Sequence, residues 1–160
     1  MLLISDANIF IDMEEAELTD TLFQLPDEFA VPDILYEEEL SEQHSDLLDK
    51  GLHIKSMSGN IVMEAYNLRQ KYNKPGQNDL NALAALAKSE GCPLLTGNGD
   101  LRKAAKAEKI NVMGTLWIIQ RMFEERLLTK QQAAEAYEKM REGRRRLPWQ
   151  IVEKQLNEFN

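Results

Sequence analysis

Apolar residues along the chain fall into short runs, separated by longer stretches in which they recur every three or four positions. The runs Leu2 to Ser5, Phe29 to Val31, Leu52 to Ser56, Leu94 to Thr96 and Ile110 to Met113 predict five strands. Helical spacing covers Ile34 to Leu40, Ile61 to Tyr72, Leu80 to Ser89, Leu101 to Glu108, Leu116 to Leu127 and Gln131 to Arg141. Strands that alternate with helices are joined by crossovers, so the pattern predicts a layered α/β fold with parallel strands. Pro75-Gly76 breaks the chain ahead of the helix at Leu80, and Gly91 stands where a left-handed cap would end it. With no repeat and no low-complexity linker, residues 1–160 read as one domain whose part 126–160 is a helical C-terminal extension. Within it, GRRRLPW (Gly143 to Trp149) separates the last helical stretches as a hinge or a docking arm.

Two of the apolar runs stop abruptly at polar side chains. LLIS ends at Asp6-Ala7-Asn8, and PLLTG leads into Asn98-Gly99-Asp100. In a parallel sheet the carboxyl ends of neighbouring strands converge, so Asp6, Glu38, Asp79 and Asp100 can share one pocket although they are far apart in sequence. Three carboxylates about 4 Å apart would repel one another by roughly 4 kcal/mol per pair at an effective dielectric of about 20, a load that protonation or a divalent cation relieves. Oxygen ligands without His or Cys favour Mg²⁺ or Mn²⁺ over zinc, and such a cation generates hydroxide from bound water. Each acid also has a plainer reading. Asp79 and Asp100 stand where an N-cap would stand, and Glu38 lies in the run Glu37-Glu38-Glu39, which suits a solvated helix face. Asp6 is harder to place at a surface, because its apolar neighbours must be buried.

Charge divides the chain unevenly. Residues 1–60 hold 15 acids against 2 lysines, whereas residues 61–160 hold 12 acids against 17 Lys and Arg. The split suits a carboxylate cluster beside a surface that meets an anion, and it equally suits a solvated acidic face. Arg141, Arg144, Arg145 and Arg146 accordingly read either as phosphate contacts or as answers to the N-terminal acids. Thr96-Gly97-Asn98-Gly99 lacks the Lys and Ser or Thr of a phosphate loop and reads as a turn. Cys92 is the only cysteine, which excludes an intrachain disulfide and paired-cysteine zinc sites, and it reads as a small buried thiol. His44 and His53 form no metal spacing. No apolar run reaches the roughly 20 residues of a membrane span and no signal peptide precedes the first strand, so a cytoplasmic location is expected.

Taken together, SDANIFID, VPDILYEEEL, NDLNALAALAKSEGCPLLTGNGDLRKAA and the GTLW at Gly114 resemble the PIN-domain family over roughly residues 1–125. The resemblance implies a three-layer α/β/α sandwich around a parallel sheet of four or five strands, with an acidic cleft that binds Mg²⁺ or Mn²⁺ and cuts RNA. It matches the family's first acid to Asp6, its second to Glu38 with a shift of one residue left open, its third to Asp79 and a further acid to Asp100. Asn98 stands where the family usually has an acid. The implied metal ligands are Asp6, Glu38, Asp79, Asn98 and Asp100, and the implied RNA contacts are Arg102, Lys103, Arg144, Arg145 and Arg146. Many bacterial and archaeal members resemble toxins, so an antitoxin is an expected partner, and a homodimer stays open. The competing expectation is a PIN-like module with weakened or lost catalysis that binds a protein or RNA. A flavodoxin-like or phosphatase-like domain ranks last, since Asn8 occupies the place of a phosphatase's second acid.

Overall fold

All five strands form. In a computed structural model that describes residues 1–160, the side chains of 86–88 excepted, they are β1 (Leu2–Ser5), β2 (Glu28–Pro32), β3 (His53–Lys55), β4 (Leu94–Leu95) and β5 (Val112–Met113). They build one parallel sheet in the order β3-β2-β1-β4-β5. Ile4 on the central strand lies opposite Ala30 on one side and Leu94 on the other. Successive residues Leu3, Ile4 and Ser5 are fully enclosed, and because neighbouring side chains on a strand point to opposite faces, helices must cover both. The architecture is therefore an α/β/α sandwich.

The helices are α1 (Ala7–Glu15), α2 (Thr19–Leu22), α3 (Asp33–Leu35), α4 (Asp46–Lys50), α5 (Gly59–Lys71), α6 (Gln77–Ala84), α7 (Gly99–Ala107), α8 (Thr115–Glu124), α9 (Lys130–Glu142) and α10 (Trp149–Glu158). Four of them, α1, α2, α4 and α10, lie outside the stretches predicted from apolar spacing. The pattern hides α1 because its buried side carries Asp12 among Ile9, Phe10 and Met13, so the apolar stripe is interrupted. In α10 only Val152 is buried, and its face is completed by tertiary contact rather than by spacing. The helix predicted at Ile34 to Leu40 begins as α3 and widens into a π turn over Tyr36–Leu40, where the Ser41 N–H reaches back to the Tyr36 carbonyl at 2.8 Å. The wider turn brings Leu35 and Leu40, five residues apart, into the core together, which the regular turn of about 3.6 residues would not do.

Four helices end in one way. After α1, α7, α8 and α9 a charged residue, Glu17, Lys109, Arg126 or Arg144, takes a left-handed conformation, and the next N–H folds back to a carbonyl of the last turn. Gly91 adopts the same hand at φ +64°, in keeping with the predicted cap. The C-terminal helices are fastened to α8. Gln155 donates to the Leu116 carbonyl at 2.8 Å and accepts from the Tyr137 hydroxyl at 2.5 Å, and Phe159 stacks on Phe123 with centroids 4.0 Å apart. The Arg141 guanidinium lies 4.4 Å over the Trp149 ring and ties the two ends of the connecting segment together. Cys92 is half-buried rather than buried, and burial pushes its thiol up.

Candidate active site

Strand order reverses between β1 and β4, and the crevice of an open parallel sheet forms where it does. Asp6 is the first residue beyond β1. Its backbone N–H still pairs with the Leu95 carbonyl at 3.1 Å, while its side chain caps α1 by accepting from the Ile9 N–H at 3.2 Å. From the other side of the crevice, the Thr96 hydroxyl donates to Asp6 Oδ2 at 2.5 Å and itself accepts from the Asn98 N–H at 3.0 Å. The carboxylate is almost completely enclosed, at 1% exposure, and among the described residues no cation pairs with it. Burial, reinforced by the charges of Asp79 and Asp12 and opposed by the Thr96 and Ile9 hydrogen bonds, raises its pKa to about 7.

Asp79 enters from α6. Pro75-Gly76 ends the preceding connection and Gly76, not Asp79, is the cap; Asp79 sits in the first turn and its carboxylate accepts from the Gly76 N–H. Burial raises its pKa against that hydrogen bond. Glu38 and Glu39 come from the π turn. Asn78 donates to Glu38 Oε2 at 3.3 Å, and the pKa of Glu39 is raised by burial and by the charges of Asp79 and Glu38, against a hydrogen bond from Asn78. Glu39 lies four residues after buried Leu35, whereas Glu38 lies four after Ile34, which is 41% exposed and lines a cavity of about 450 Å³ together with Glu38. The one-residue ambiguity in the sequence thus becomes two neighbouring glutamates, of which Glu39 feels the charge of Asp79.

Asn98 caps α7: its side-chain oxygen accepts from Asp100 N–H at 2.9 Å and Leu101 N–H at 3.1 Å. Asp100 is therefore in the first turn and is not the cap. It lies on the rim of a cavity of about 500 Å³ whose lining also includes Asn8, Asp12, Asn98, Arg144, Arg145 and Arg146. Arg145 answers an N-terminal acid, as one of its two readings held: its Nε is 2.5 Å from Asp12 Oδ1, and its Nη2 is 3.3 Å from Asn8 Oδ1. The second oxygen of Asp12 accepts from the Thr115 hydroxyl at 2.7 Å. The GTLW segment has a local cause as well. A Cβ at Gly114 would stand 3.3 Å from the Thr96 carbonyl, a tight contact, so glycine eases the close approach of the start of α8 to the end of β4. Arg102 lies near the same glycine and is half-buried, while Lys103 is exposed.

The donor set is carboxylate oxygen, which suits a hard divalent cation, and beyond the effect of burial the charge of Asp79 adds to the upward shift of both Asp6 and Glu39, a repulsion a cation would take over. Among the described residues, no three His, Cys, Asp or Glu side chains close to the span of a single ion. His44 lies against the Glu14 carboxylate, away from these acids. Asp12 and Glu39 were not singled out from the sequence. Asp12 is four residues from Asn8, the spacing of one helix face, but the helix itself was missed; Glu39 was hidden by two identical neighbours.

A family model described as a PIN domain matches residues 2–160. The chain belongs to the PIN-domain family, whose members are typically metal-dependent nucleases acting on RNA. The match runs past residue 125 through both C-terminal helices. Among curated proteins none matches. Of solved structures, a PilT N-terminus domain protein, SSO1118, from the hyperthermophilic archaeon Sulfolobus solfataricus P2 is similar at 11% identity and a TM-score of 0.48, over 74% of this chain and 90% of that one. No helix among the described residues is long and apolar enough to cross a membrane.

Proposed function

We propose that this chain is a Mg²⁺- or Mn²⁺-dependent endoribonuclease. The reading is carried by one observation: a buried carboxylate, Asp6, raised to about 7 beside Asp79 at the point where the sheet order reverses. Asp6, Asp79 and one or both of Glu38 and Glu39 would hold the cation, with Asn98 and Asp100 on the rim. When bound, such an ion supplies hydroxide from water at neutral pH and shields the charge of the phosphodiester. Thr96 fixes the rotamer of Asp6, since its hydroxyl accepts from the Asn98 N–H and so turns its proton toward Oδ2. Arg102, Lys103, Arg144 and Arg146 are placed in this reading as contacts to the RNA backbone, and Arg145 as a clasp on Asp12.

The second reading is a PIN module whose catalysis is weakened. It is favoured by Asn98, whose oxygen already serves two backbone donors and brings no charge. Cleavage of mixed RNA in Mn²⁺ by the unaltered protein, Asp6→Asn and Asn98→Asp separates the two. The enzyme reading expects cleavage that Asp6→Asn removes; activity confined to Asn98→Asp supports the weakened module. A toxin role in the cytoplasm is a finer proposal, tested by growth arrest on expression and its relief by a protein encoded alongside.

A further inference from the structure

One turn of chain supplies much of the acidic centre. Gln77, Asn78 and Asp79 open α6: Gln77 donates to the buried Asn81 at 3.3 Å, Asn78 holds Glu38, and the charge of Asp79 acts on Asp6 and Glu39. The approach to that turn has no regular structure of its own. α5 ends at Lys71, Tyr72 leaves it in an extended conformation, and residues 72–76 run as an irregular connection to Gly76, the cap of α6.

Arg69, in the last turn of α5, fastens this connection. Its Nη1 donates to the Tyr72 and Asn73 carbonyls at 3.2 and 3.0 Å, its Nη2 to the Pro75 carbonyl at 2.8 Å, and its Nε to Gln77 Oε1 at 3.3 Å. An arginine that only capped its own helix would bind carbonyls of the last turn, whereas all four of these acceptors lie beyond it. The guanidinium is a rigid planar fork, so serving them together fixes where they stand relative to one another. The Pro75 carbonyl and the Gly76 N–H belong to a single planar peptide group. Arg69 holds the oxygen of that group, and the Asp79 carboxylate accepts from its N–H. One peptide plane thus joins the guanidinium to the acid.

We propose that Arg69 is a positioning residue for Asp79, acting through the peptide group between Pro75 and Gly76. That Asp79 meets a cation rests on the nuclease reading; that Arg69 orients Asp79 does not. Groups that orient a metal ligand from behind are worth about 10-fold to 100-fold in metal affinity, because a displaced carboxylate no longer closes on the ion.

The test uses the full-length protein with Arg69→Lys and Arg69→Met. Lysine keeps the charge, but a single ammonium cannot span these four acceptors; methionine keeps only the apolar stem. Mn²⁺ binding without RNA is read from the electron paramagnetic resonance signal of free Mn²⁺, and amide hydrogen exchange is read by NMR in the metal-free protein. Both variants should bind Mn²⁺ about tenfold more weakly. The Gly76 amide should exchange about tenfold faster after correction for any change at Ile4, which lies in the central strand and reports global stability. A merely structural arginine would speed both amides alike and leave Mn²⁺ affinity unchanged, and either result in a folded variant overturns the proposal. Gly76→Pro supplies an independent check, since the φ of -65° at Gly76 suits proline and the substitution removes the N–H without touching Arg69. It should weaken Mn²⁺ binding to a similar degree, and adding Arg69→Lys should weaken it little further. Losses that multiply in full would mean two separate routes, and the proposal would fail. If the unaltered protein binds no Mn²⁺, the nuclease reading falls, and exchange at Gly76 alone decides whether Arg69 sets the peptide group that holds Asp79.

Discussion

Asp6 and Asp12 sit at the two ends of one helix, both buried, and they are treated oppositely. Asp12 is matched inside the chain: Arg145 takes one oxygen and Thr115 the other. Asp6 receives only a hydroxyl and a backbone N–H, and its pKa climbs to about 7. A protein that needed both residues only for structure would gain by pairing both, since an unmatched buried charge is costly. Asp12 holds the C-terminal segment to α1, while Asp6 has no cation partner among the described residues and is the acid that the proposed function assigns to a divalent ion.

The sharpest way to break this contrast is to remove each acid in turn. Asp6→Asn should lower Mn²⁺-dependent RNA cleavage by about 10³-fold, roughly 4 kcal/mol of barrier, while the fold persists, because asparagine still caps α1. A single-turnover assay with far-ultraviolet circular dichroism checks both halves. If Asp12→Asn lost activity equally without losing stability, the two aspartates would not differ in kind.

The bare state of Asp6 also predicts a dependence of stability on pH. Burial holds the Asp6 pKa above its usual 3.8, so the folded chain keeps a proton that the unfolded chain releases. In chelator, stability should fall as pH climbs from about 4 to about 7 and then level off. The loss is up to about 4 kcal/mol, on the exchange of about 1.4 kcal/mol per pKa unit. Urea titrations should show the decline for the unaltered chain and a much flatter profile for Asp6→Asn. Added Mn²⁺ should recover part of the loss at pH 8, and a profile identical in both proteins would remove Asp6 as its cause.

Arg145→Ala leaves Asp12 without its cation. The expected cost is roughly 2 to 3 kcal/mol, below that of a fully buried pair because the arginine side chain is 23% exposed. Adding Asp12→Asn should recover most of it in denaturant midpoints, since the double variant removes the unmatched charge. A smaller effect is expected at Arg144, which holds φ +60° at the end of α9 where glycine would be unstrained. Arg144→Gly should raise stability by up to about 1 kcal/mol while weakening RNA binding, a gain in fold against a loss at the rim.

Much of this was legible from residues alone. The five strands follow from apolar runs bounded by Pro32, Gly51 and turn signals, since a strand buried on both faces needs no more than a short uninterrupted run. The acids at strand ends followed for the same reason: Asp6 had buried neighbours on either side. The first helix was not legible, because Asp12 occupies its core-facing side and reads as surface until Arg145 is brought against it across 133 positions of sequence. Glu39 could not be told from Glu38 by spacing, because the turn that carries them is wider than a regular helix.

Local sequence determined which side chains are apolar, where helices start and stop, and that carboxylates stand where strands end, since each depends on neighbours within a few residues. Which carboxylate is matched by a cation and which is left bare was decided only by tertiary structure. Burial and charge act through space, and Thr96, Asp79 and Arg145 reach α1 from distant parts of the chain.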